Sequence, residues 1–169
     1  MNILLPIDDS PESAVAVQAI STRPWPTGSN VRVLSVVENA GLLPVGEFMI
    51  AAPDDLAELA QQRIAQSERL TDEIAASLEP TGLSVQKAVR EGNASEAIIE
   101  EAKDWPADLI VMGTHGYTGL KKLVLGSVAH SVVNHAPCSV EVVRDRLATN
   151  NKKTENQIPG SAEELYARK

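Results

Sequence analysis

Three glycines and a serine carry the first legible chemistry in this 169-residue chain. Gly113 is followed after two residues by Gly116, and after nine more by Gly126 and Ser127. A glycine has no Cβ, so a ligand can approach its backbone N–H closely. A serine at the start of a helix either caps it or turns its hydroxyl outward, beside free amides and a dipole that attract anions. The window from Leu109 to Val140 holds all three histidines, His115, His130 and His135, and none of the chain's 23 acidic residues. That combination suits a polyphosphate, each charge-assisted hydrogen bond to it contributing about 1.5–3 kcal/mol. Glycine after a strand also serves as turn chemistry alone. Neither GxxxxGK[ST] nor GxGxxG is present, so those nucleotide sites are not implied.

The elements that must position these residues alternate. NILLPID, at the start of the chain, is an apolar run suited to a strand buried on both faces. Ser10 and Pro11 open a helix through Ala14, Val15, Val17 and Ala19 to Ser21. VRVLSVVE is a second strand, and residues 39–53 are irregular, with two glycines and two prolines. A long helix follows from Asp54, with Leu56, Leu59, Ile64, Leu70, Ile74 and Leu78 as its packing stripe and Pro80 and Gly82 closing it. SVQKAVRE is a third strand, whose polar interruptions suit an edge, and GNASEAIIEEAK a third helix. DLIVMG, SVAHSVVNH and CSVEVV are then strand, helix and strand. Such alternation implies a parallel sheet with right-handed crossovers and helices on both faces. Ligands bind such sheets beyond the carboxyl ends of the strands, where Asp8 and Gly113 would share a crevice if their strands are neighbours.

Composition narrows the classes. A net charge of −8 argues against general nucleic-acid binding, which depends on basic side chains. Cys138 is the single cysteine, so an intrachain disulfide and a cysteine-cluster zinc site are excluded. No apolar run approaches the roughly 18 residues of a membrane helix, and MNILLPIDDSPES has acids where a signal peptide would be basic. The expectation is a soluble, cytoplasmic protein with no membrane or nucleic-acid partner.

The glycine pattern, after a DLIVMG strand and before an SVA helix, resembles the universal stress protein family. The opening ILLPID, SVVE, EGNASEAIIEEA and APCSVEVV share the resemblance, which covers residues 1 to 144. It implies an α/β, Rossmann-like fold: an open five-stranded parallel sheet of order 3-2-1-4-5 with helices on both faces. A homodimer joined through the last strand is also implied. Residues 145–169 lie outside the resemblance and read as a polar, flexible tail, with at best a short helix behind Ser161 and Glu164.

Members with this glycine pattern bind ATP. By that resemblance Pro6, Ile7 and Asp8 line the adenosine side, and Val36 is an apolar wall for adenine. Met112, Gly113, His115 and Gly116 border the ribose and phosphates, while Gly126, Ser127 and Val128 hold the phosphate end. Ala129 departs from members carrying a hydroxyl there. Each assignment has a plainer counterpart. Asp8 suits helix capping, Lys121 and Lys122 suit a solvated face, and His130 and His135 suit the surface. No histidine pair has metal spacing, so Mg²⁺ would arrive only with ATP.

A receiver-domain reading of Asp8-Asp9 fails, because the third strand ends in Arg90, Glu91 and Gly92 and the fifth in Arg144. Function therefore divides between an ATP-dependent regulator of the stress response with an unknown protein partner and a scaffold indifferent to nucleotide. Slow ATP hydrolysis stays open, with no catalytic base and nucleophile in arrangement.

Overall fold

A computed structural model describes residues 1–38, 53–114 and 125–144, with side chains from 57 onward in the second segment. In chain order the elements are β1 (Asn2–Ile7), α1 (Pro11–Thr22), β2 (Asn30–Val37), α2 (Pro53–Leu78), β3 (Ser84–Glu91), α3 (Ala94–Asp104), β4 (Leu109–Gly113), α4 (Ser127–His135) and β5 (Ser139–Val143). All strand pairs are parallel, in the order β3-β2-β1-β4-β5. Both the sheet order and the edge position of β3 match the expectation. The irregular stretch 39–52, the 115–124 loop with Lys121 and Lys122, and the tail from 145 lie outside the described residues.

Strand β1 is central, and its apolar run feeds two cores. Ile3, Leu5 and Ile7 join Val31, Val33, Ala16, Ile20 and Leu78 under α1 and α2. Leu4 turns the other way, to Leu34, Ile110, Met112, Ile98 and Val132 under α3 and α4. That is the period of two acting on a strand buried on both sides. Burying one such side chain contributes about 1.5–3 kcal/mol, so the run in β1 sets the middle of the fold.

Local signals fix the helix ends. The Ser10 hydroxyl accepts the Ser13 N–H at 3.1 Å, and Pro11 occupies the first turn of α1. Asn93 caps α3 by accepting from Ser95 N–H and Glu96 N–H. Helix α2 ends in a 3-10 turn over Glu79–Thr81, and Gly82 follows at φ 76°, where only glycine is unstrained.

Helix α3 is pinned by charge as well as packing. Glu101 is 1% exposed, yet Arg32 Nη1 and Arg90 Nε each lie 2.6 Å from one of its oxygens. Arg32 also stacks on Trp105, 4.6 Å from the ring centre, and donates to Gln86. A buried carboxylate persists only with such partners.

Candidate functional site at the carboxyl edge of the sheet

The sheet opens at one place. Asn2 C=O accepts from Asp108 N–H, beside β4, whereas Met1 C=O accepts from Asn30 N–H of β2. Successive peptide groups of a strand face opposite neighbours, so residues 2, 4 and 6 of β1 turn theirs towards β4. Pro6 has no N–H to give there. Registered pairing with β4 stops at Leu4↔Ile110, while pairing with β2 continues through Pro6↔Leu34 to Ile7↔Ser35. A proline in a central strand is ordinarily excluded. Here the missing rung falls where the strand order reverses, between β1 and β4.

Above that edge lies a cleft of about 680 Å³, within the range of small-molecule sites. Its floor is Asp8, Ser35, Val36 and Val37; one wall is Arg63, Gln66, Ser67 and Leu70 of α2; Ala94 and Val128, at the starts of α3 and α4, form the other. Three residues named from sequence, Asp8, Val36 and Val128, thus meet in one place. Asp8 is half-buried; its N–H donates to Ser13 Oγ, and its carboxylate accepts the hydroxyl of Ser10. Its side chain is therefore tied to the α1 cap while lining the cleft.

The remaining candidates divide. Ile7 and Met112 are each 6% exposed, belong to opposite cores and do not line the cleft. Gly113 owes its bareness to packing: a Cβ there would lie 2.6 Å from Glu12 C=O oxygen, in the first turn of α1. Gly126 has spent its N–H on Thr114 C=O at 2.8 Å, and its own carbonyl accepts from His130 N–H. The first-turn amides of α4, on Ser127, Val128 and Ala129, have no side-chain cap at Gly126, and Ser127 is exposed beside them. His115 and Gly116 lie outside the described residues.

Two expectations change. The cleft is not free of acids, because Asp9, Glu38 and Glu73 line it with Asp8 even though the 109–140 window supplies none. Those carboxylates come from the β1, β2 and α2 side. They suit hydroxyl and amino donors there and leave the α4 end to anions. The apolar stripe of α2 also serves the core only in part. Leu70 and Ile74 pack against the first core beside buried Leu78, but Leu59 is 42% exposed. Sequence reasoning missed Arg63, Gln66 and Ser67. Their signal was the register: positions 63, 66, 67 and 70 share one face of α2, and the polar ones occur where that face passes the cleft.

Among the described residues no group of three or more His, Cys, Asp or Glu is arranged to hold a metal ion, and no helix is long and apolar enough to cross a membrane. Cys138 is half-buried against the second core, and burial, followed by the nearby Asp108, pushes its thiol above the ordinary range.

The fold is that of an α/β protein whose parallel strand order reverses between β1 and β4, with the cleft at the carboxyl ends of β1 and β2. The model of the universal stress protein family matches residues 1–144, and the chain belongs to that family. Universal stress protein MJ0531 of Methanocaldococcus jannaschii is 33% identical over 114 residues, covering 68% of this chain and 62% of that protein, so the chain spans less than two thirds of it. The structure of MJ0577, from the same organism, superposes with a TM-score of 0.74 at 27% identity, covering 86% of this chain and 96% of the other. A universal stress protein family member from Arabidopsis thaliana, solved with AMP bound, shares the fold at a TM-score of 0.62 and 17% identity, covering 91% and 98%.

Proposed function

We propose that this chain is an ATP-binding member of its family, acting as a nucleotide-dependent regulator in the stress response. The observation that carries the reading is the convergence of Asp8, Val36 and Val128 on one cleft beside the uncapped first turn of α4. Asp8 would take the ribose and base, Val36 the base face, and Ser127 with the Val128 and Ala129 amides the phosphates. Pro6 keeps the crevice open, and Gly113, His115, Gly116 and Gly126 frame the loop between. The AMP-bound relative supports the reading, since the same fold there holds an adenine nucleotide. Mg²⁺ would arrive with the phosphates. The reading includes a homodimer through the edge strand β5, a cytoplasmic location, a nucleotide-binding unit of residues 1–144, and a tail of 145–169 that binding does not need.

Nucleotide binding is tested by denaturing freshly purified protein and identifying what is released by mass spectrometry. Stoichiometric ATP or ADP is expected. A second reading, a nucleotide-independent scaffold, is favoured by the structural duties already found for Gly113 and Gly126. It would follow from folded protein that releases no nucleotide and takes up none.

A further inference from the structure

Helix α2 faces the sheet with a stripe that changes character along its length. Leu70, Ile74 and Leu78, four residues apart, pack into the first core. Followed towards the amino end, the same helix face reaches half-buried Ser67 and exposed Gln66 and Arg63, all lining the open cleft. An inward helix face turns polar only where it meets solvent or a polar ligand.

Two other glutamines show what a structural role looks like, while Gln18 and Gln61 are exposed and do not line the cleft. Gln62, one turn earlier, donates to Glu58, and Gln86 accepts two hydrogen bonds from Arg32. Gln66 lines the cleft, and its amide has no partner among the described residues.

A primary amide presents a donor and an acceptor in one plane. That pair matches the N7 acceptor and N6 amino donor along one edge of adenine. Guanine and hypoxanthine present two acceptors on the same edge, so the amide's oxygen would face an oxygen. Asp8 and Val36 supply the floor on which a base would lie, and Gln66 and Ser67 stand on the wall beside it.

Taking the nucleotide reading above as given, we infer that Gln66 of α2 is a specificity-determining residue. It reads the base edge and selects adenine over 6-oxopurines, with the Ser67 hydroxyl beside it.

The test is calorimetric titration of the full chain with ATP and with inosine triphosphate, which differs in carrying a 6-oxo group for the 6-amino group. Wild type should bind ATP about tenfold or more tightly than inosine triphosphate. Gln66→Leu, similar in size and favourable in a helix, should bring that ratio close to one, chiefly by weakening ATP. A purely structural role for Gln66 would weaken both ligands alike and leave the ratio unchanged, which would overturn the inference. Equal binding of both ligands by wild type would overturn it too, with nucleotide binding itself intact. Folded wild type that binds neither ligand would instead overturn the nucleotide reading and take the inference with it.

Discussion

Two polar regions of this molecule share a fold and differ in every relation to their neighbours. On the α3 face Glu101 is buried, both its oxygens are engaged by arginines, and Arg90 reaches on to Asp104 at 3.0 Å. At the carboxyl edge Arg63 and Gln66 line an open cleft, and neither has a partner among the described residues. The first arrangement is closed: each charge answers another, and each carboxylate oxygen of Glu101 accepts from an arginine. The second has exposed side chains on α2 that no other described residue engages. The lesson concerns how to sort polar residues. Charge and burial mark the Glu101 cluster as the more conspicuous, yet its mutual pairing marks it as architecture, whereas polar groups left unengaged around a cleft stay available to a ligand.

The largest expected effect belongs to the closed region. Glu101→Ala should destabilise the fold by about 3 kcal/mol in chemical denaturation, at the low end for a broken buried pair because solvent reaches both guanidinium groups. Nucleotide affinity should not change. A matching loss of affinity would mean that the two regions act as one.

Next comes Gly113→Ala, which probes whether that glycine serves packing or ligand. The added Cβ meets the Glu12 backbone at 2.6 Å, so α1 or β4 must shift, at about 1–3 kcal/mol. Unchanged stability together with lost nucleotide binding would return Gly113 to the ligand.

The smallest effect is a pH dependence at a third place, remote from both regions. Arg23 Nη1 lies 2.6 Å from Glu141 Oε2, and its hydrogen bond holds the Glu141 carboxyl below the ordinary value of 4.5. A carboxyl lowered on folding stabilises the fold above its unfolded pKa, and that contribution is lost as pH falls through the folded value. Both side chains are about a third exposed or more, so solvent screening limits the contribution to under about 1 kcal/mol. Glu141→Gln should therefore remove a shallow stability gain seen above pH ~4.5 and leave the rest of the profile intact. An identical profile in wild type and variant would show that the pair contributes nothing.

Much of the fold was legible because its signals are local. The apolar run of β1, the Ser10 cap with Pro11, and the Pro80–Gly82 stop each act within a few residues. Sheet order was carried by the family resemblance rather than by any one strand. The site was legible where a strand end or helix start delivers a residue, as with Asp8, Val36 and Val128. It was illegible where the reason is tertiary. Nothing near Gly113 in sequence announces that Glu12 will lie against it. Pro6 reads as an oddity until the alternation of peptide groups shows that its missing donor faces β4. Arg63, Gln66 and Ser67 look like an ordinary solvated face until the length of α2 carries them past the sheet to the cleft.

The central claim is that the cleft, and not the saturated cluster, receives the ligand. It is tested most directly by following backbone amide resonances during titration with ATP. The account predicts saturable shifts centred on Asp8, Val36, Ser127 and Val128, with Arg32, Arg90 and Trp105 silent. Shifts centred on the α3 cluster, or none anywhere in folded protein, would contradict it.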